Sequence, residues 1–183
     1  MKFGYQMLCE AEAKGVPSGS TDESTKLFWR HIWSTKVPNK IKVFLWRTCS
    51  NTLPTKVGLH KRKVVDNKTC EQCLMGDEDE VHMMWGCENI HSVWEAPFVV
   101  VRLKFPRLDT MWDLVSAVHA ETGELNKFAM VAWAIWQRLN KLRCKEQSTP
   151  VHKIFKSALT LLAEFQQRRP IQTGLSHSSP NQW

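Results

Sequence analysis

Apolar positions recur at helical spacing along most of the chain. From Leu125 to Glu146, Phe128, Val131, Ile135, Leu139 and Leu142 follow a 3.6-residue period and predict a long helix. Pro150 breaks that pattern. Beyond it Ile154, Phe155, Ala158, Leu161, Leu162 and Phe165 predict an amphipathic helix over 151–167. Upstream, Phe28, Trp29, Ile32 and Trp33 mark a helix, with Ser20 and Glu23 spaced as a capping box. Pro38 opens a second helix at its first turn, where a missing N–H costs nothing. Its apolar positions are Ile41, Phe44, Leu45 and Thr48, with Trp46 on the flank. Pro54 opens a third, carrying Val57 and Leu59. Residues 3–14 predict a short helix with Phe3, Met7 and Leu8 on one side, and 15–25 reads as a linker. Residues 109–121 predict another helix, and Ile90–Trp94 is helical up to Pro97. Val64 and Val65 look extended. FVVVRL, 98–103, has the β-branched content of a strand. From Arg168 the chain reads as a disordered tail.

Composition narrows this picture. Hydrophobic residues make up 43% of the 183 positions, enough for a buried core. Nine tryptophans against one tyrosine read as core filling. The longest apolar run, FAMVAWAIW at 128–136, is too short to span a bilayer, so no membrane association is expected. The N-terminal residues lack the sustained apolar stretch of a signal peptide.

The chemistry concentrates in TCEQCLMGDEDEVHMMWGCENIHSVW, residues 69–94. Cys70, Cys73, His82 and Cys87 stand as C-x2-C-x8-H-x4-C. Three thiolates and an imidazole are the donor set of a closed tetrahedral zinc site, which builds structure and leaves no open position for water. Soft ligands favour zinc over magnesium or calcium. His91 is the alternative to His82. The C-x2-C is also the spacing of a redox pair, though no βαβ pattern surrounds it. Cys9, Cys49 and Cys144 stand alone, which suits a reducing, intracellular compartment, nuclear or cytoplasmic. The acidic run Asp77-Glu78-Asp79-Glu80 reads as a solvated loop, since four consecutive carboxylates converge poorly on one octahedral ion.

Charge divides sharply around these residues. Lys36, Lys40, Lys42, Arg47, Lys56, Lys61, Arg62, Lys63 and Lys68 face a single acid, Asp66, so this segment alone carries +8 against +7 for the whole chain. Residues 71–95 hold seven acids and no Lys or Arg. A basic helical face beside a zinc turn is a phosphate-binding surface for RNA or DNA with low sequence specificity. The plainer reading is a solvated charge run.

VPNKIKVFLWRTCSNTLPTKVGLHKR (37–62), followed by C-x2-C, Glu78-x-x-x-His82, Cys87 and Val93-Trp94, resembles the zinc-binding domain of plant reverse transcriptases of LINE-type, non-LTR retroelements. In that family the domain follows the polymerase and often precedes a ribonuclease H domain. The matching frame is Pro38, Lys40, Phe44, Trp46, Leu53-Pro54-Thr55, Leu59, Arg62, the four ligands and Trp94. The opening KFGYQML and the later Trp133-x-x-Trp136 followed by Asn140 resemble the family's flanking segments. The resemblance implies Cys70, Cys73, His82 and Cys87 as zinc ligands, in agreement with the spacing. It departs at Leu74, where such turns often carry a glycine and this chain places Gly76 two positions later. It also departs at Leu139-Asn140, where the family has Arg-Asn and this chain carries Arg138.

The expected architecture is therefore mostly α. It comprises an N-terminal helix and linker (1–25), a zinc-binding domain (26–97), a helical connecting region (98–167) and a tail (168–183). No paired-aspartate turn, Gly-rich phosphate loop or nucleophile–base arrangement stands out, which argues for a non-catalytic module. The alternative is a scaffold linking polymerase and ribonuclease H domains.

Overall fold

A computed structural model describes residues 21–94 and 97–168. The helix expected at 3–14, the Ser20 half of the capping box and the tail beyond Arg168 lie outside the described residues. Among the described residues seven α-helices follow in chain order: α1 Thr21–Ser34, α2 Asn39–Cys49, α3 Lys56–Lys61, α4 Val99–Lys104, α5 Met111–Thr122, α6 Leu125–Arg143 and α7 Val151–Gln167. A π-turn, His82–Gly86, and a 3-10 helix, Glu88–Val93, lie between α3 and α4. Among the described residues no strand forms; Thr69 and Asp77 make one isolated antiparallel bridge.

The helix starts follow capping chemistry. Thr55 Oγ1 accepts from the Gly58 N–H (3.2 Å) and Thr110 Oγ1 from the Asp113 N–H (3.1 Å), each satisfying one orphan donor. Pro38 and Pro150 stand just before α2 and α7, in extended backbone. The helix ends depart more from the sequence. The long helix expected to reach Glu146 stops at Arg143. There Lys145, at φ +57°, donates to the Leu142 carbonyl (3.0 Å) and Glu146 donates to the Lys141 carbonyl (2.8 Å). That is a Schellman ending with lysine in the left-handed position usually given to glycine. Lys63 (φ +57°) ends α3 in the same way.

The segment expected as a strand, 98–103, is helix α4. Its Val101 and the preceding Phe98 are fully buried, and α4 packs on α5. Tertiary packing overrides the β-preference of a three-valine run. Val64 and Val65 form an irregular, bent connection.

α6 is the centre of the molecule and packs against α2, α5, α7 and the π-turn. Its Phe128, Ala129, Val131, Ala132, Ile135 and Leu139 are buried. Trp94 stacks on Phe128 (centroids 5.0 Å, 21°) and donates from Nε1 to the Met84 carbonyl at 2.8 Å. One core thus runs through both the segment 26–97 and the segment 98–167. Trp33, Leu142 and Leu161, expected on buried faces, are exposed.

Candidate metal centre

The Thr69–Asp77 bridge starts a tight loop. The Glu78 N–H donates to the Lys68 carbonyl and the Cys70 N–H to the Gly76 carbonyl, both at 2.8 Å. Inside it the Leu74 N–H donates to the Cys70 carbonyl (3.0 Å), which folds Cys73 back toward Cys70. Leu74 adopts φ +57°, so the left-handed turn survives without the glycine. A side chain there costs about 1–2 kcal/mol.

The other two donors come from the π-turn. Residues five apart on an α-helix point about 140° away from each other. Here the Cys87 N–H donates to the His82 carbonyl at 2.8 Å, and this wider i→i+5 turn brings the two side chains together. Asp79 Oδ1 accepts from the His82 N–H at 2.7 Å and starts the turn. Buried Met83, Met84 and Trp85 anchor it to the core.

The four donor atoms of Cys70, Cys73, His82 and Cys87 lie within 4.8 Å of one another. Cys70 Sγ is 4.0 Å from Cys87 Sγ, and Cys73 Sγ is 3.2 Å from His82 Nε2. A tetrahedral zinc with Zn–S bonds of about 2.3 Å has edges of roughly 3.8 Å. The sulfurs are too far apart for a disulfide, and all of these cysteines are free. Donor type, number and spacing fit zinc. His91 is exposed and does not join the group.

Without the cation the thiols disagree. Burial opposes a thiolate at Cys73, but N–H groups of Met75 and Gly76 and the neighbouring thiols outweigh it and hold that thiol below its usual pKa. Burial pushes Cys87 up to about 12, and the charges on Cys70 and Cys73 add to the rise. A divalent ion reverses this balance, because a coordinated thiol is deprotonated outright.

The acidic run is solvated only in part. Asp77 pairs with Lys68 (2.6 Å), and Asp79 starts the π-turn. Glu80 is buried, and its carboxyl is held above the usual range by that burial. Glu78 is only 1% exposed. Its Oε1 accepts from the Lys56 N–H (3.1 Å) and from Arg143 Nη2, while its carbonyl accepts from the Val57 N–H (3.1 Å). Glu78 therefore satisfies two orphan donors at the start of α3 and ion-pairs with α6. The sequence offered no signal for Arg143, which lies 65 residues away.

The nine basic residues are spread over three segments. Lys36 precedes α2, and Lys40, Lys42 and Arg47 lie on it. Lys36, Lys40 and Arg47 are exposed, while Lys42 Nζ donates to the Trp33 carbonyl at 2.7 Å. Lys56 opens α3 but is drawn to Glu71 (2.7 Å), whose carboxyl that contact holds below the usual range. Lys61, Arg62 and Lys63 are exposed at the end of α3. Lys68 reaches Asp77. The charge division along the chain is thus partly cancelled in space.

Residues 3–94 match the family described as zinc-binding in reverse transcriptase, about half of the chain. The chain belongs to that family. The chain is also similar to a protein of Arabidopsis thaliana named "Putative ribonuclease H protein", at 27% identity over 67 residues. That match covers 37% of this chain and 11% of the relative, so the chain spans a small part of the relative's length. No solved structure matches. Among the described residues no helix is long and apolar enough to cross a membrane.

Proposed function

We propose that this zinc-binding domain is a non-catalytic module that binds RNA or DNA through phosphate contacts. The observation that carries the reading is the run of nine Lys and Arg from Lys36 to Lys68 against Asp66 alone. Lys36, Lys40, Arg47, Lys61, Arg62 and Lys63, all exposed, are the phosphate contacts; Lys56 and Lys68 hold the metal loop's own acids. Zinc, when bound, ties the loop between residues 70 and 87 into one unit. Four protein donors fill a tetrahedral ion, which supports a structural role.

Fluorescence anisotropy against single-stranded RNA and duplex DNA tests this, at salt from about 50 to 200 mM, with and without zinc. Affinity is expected to fall steeply with salt and to fade when zinc is removed. Absent or salt-insensitive binding by zinc-loaded protein sinks the reading.

A second reading makes the domain a scaffold between polymerase and ribonuclease H domains of a longer protein. The length and name of the Arabidopsis relative favour it, as do exposed Leu103 and Leu161 on the later helices. Apolar faces left without their partner domains self-associate, so a compact monomer in size-exclusion chromatography counts against it.

A further inference from the structure

Three arginines from outside the cysteine loop each grip it at one point. Arg138 Nη1 donates to Gln72 Oε1 at 2.5 Å, between Cys70 and Cys73. Arg143 pairs with Glu78, between Cys73 and His82. Arg102 Nη2 donates to the Trp85 carbonyl at 3.1 Å, between His82 and Cys87, with its guanidinium 4.5 Å from the Trp85 ring. Every interval between successive ligands is thus held by one arginine. Two of them stand on α6 and one on α4.

We infer that Arg102, Arg138 and Arg143 form a positioning collar that sets the metal centre's affinity from the C-terminal helices. Three thiolates and a neutral imidazole around a divalent ion leave one net negative charge. The guanidinium groups of Arg102 and Arg138 offset it, while Arg143 is balanced by Glu78 and acts through its grip on the loop. Arg138 is held at two points, the first through Nη1 at Gln72 between the first two ligands. Its Nε also donates to the Thr149 carbonyl (3.2 Å), fixing it to the α6–α7 connection. Arg143 adds Nη1 to the Pro54 carbonyl (3.3 Å), so the loop, α3 and α6 share one contact point. The coupling is reciprocal: helices that hold the loop raise metal affinity, and bound metal steadies the loop's contacts with those helices.

The test uses the full chain under reducing conditions. Zinc affinity is measured by competition with a chelating indicator, and the cobalt(II) absorption spectrum reports ligand geometry. Arg138→Met, Arg143→Met and Arg102→Met are each expected to weaken zinc by about tenfold or more, as outer-sphere partners of metal ligands do. Arg138→Lys is expected to recover most of the loss, because it restores the charge. Exposed Arg107→Met is the control and leaves affinity unchanged. Should a methionine variant lose its helical circular dichroism, the comparison of Arg138→Lys with Arg138→Gln decides. Affinities within about threefold of the parent in all three methionine variants, or an equal loss in Arg107→Met, overturn the collar.

Discussion

The metal loop and the helical body are held together by different physics. Around α6 the body buries Phe98, Phe128, Val131, Ile135 and Ile154 almost completely, so apolar burial is its main source of stability. From Thr69 to Glu80 the loop buries few apolar side chains; Leu74 and Met75 are largely exposed. Its order rests on thiols, backbone hydrogen bonds and charge pairs. The body should therefore keep its structure without metal, and the loop should not.

Removing the metal tests this difference most strongly. Chelation, or Cys70→Ser, is expected to release amides 70–87 in hydrogen exchange while amides 128–139 stay protected, since metal affinity is folding free energy in the loop. Uniform exchange across both regions would abolish the distinction. Phe128→Ala attacks the body instead, leaving a cavity under Trp94 and Phe98 at a cost of about 3–5 kcal/mol. A fall in melting temperature in both zinc-loaded and zinc-free protein checks it.

Glu78→Gln sits at the junction of the two regions. It leaves Arg143 facing a neutral amide and weakens the caps on α3, with an expected loss of about 2–4 kcal/mol. Denaturant unfolding that leaves the midpoint unchanged would mean that the pair is dispensable. Glycine at two of the left-handed positions separates the regions again. Leu74→Gly should tighten zinc by a few-fold, and Lys145→Gly should raise stability by about 0.5–1 kcal/mol with little effect on zinc.

The smallest expected effect is on pH. His31 and His119 face each other across α1 and α5, ring centroids 4.2 Å apart. Burial first, and the His31 charge second, lower the His119 pKa from 6.5. The folded state thus binds fewer protons, so this contribution is present above about 6.5 and is lost as pH falls below it. His119→Gln should flatten that part of the melting-temperature profile.

Much of the body was legible because its helices carry their own period. The α7 bounds 151–167 match the expected range, and α2 buries the four positions marked by spacing. Helix ends were less legible. Lysines stand where glycine ordinarily signals a stop, so the end at Arg143 depends on backbone geometry that no residue type announces. The three valines of α4 carry a strand preference of at most about 1 kcal/mol, less than burial of Phe98 and Val101 supplies.

Ligand chemistry and apolar periodicity are local properties of residue type and spacing, so the candidate donors and most of the helices are readable along the chain. The partial burial of the acidic run is not local in that sense. Glu78 is held there by an arginine 65 residues away, and partners at that distance meet only after the helices pack. The same packing answers Lys56 and Lys68 with acids, and sets one arginine against each interval of the metal loop.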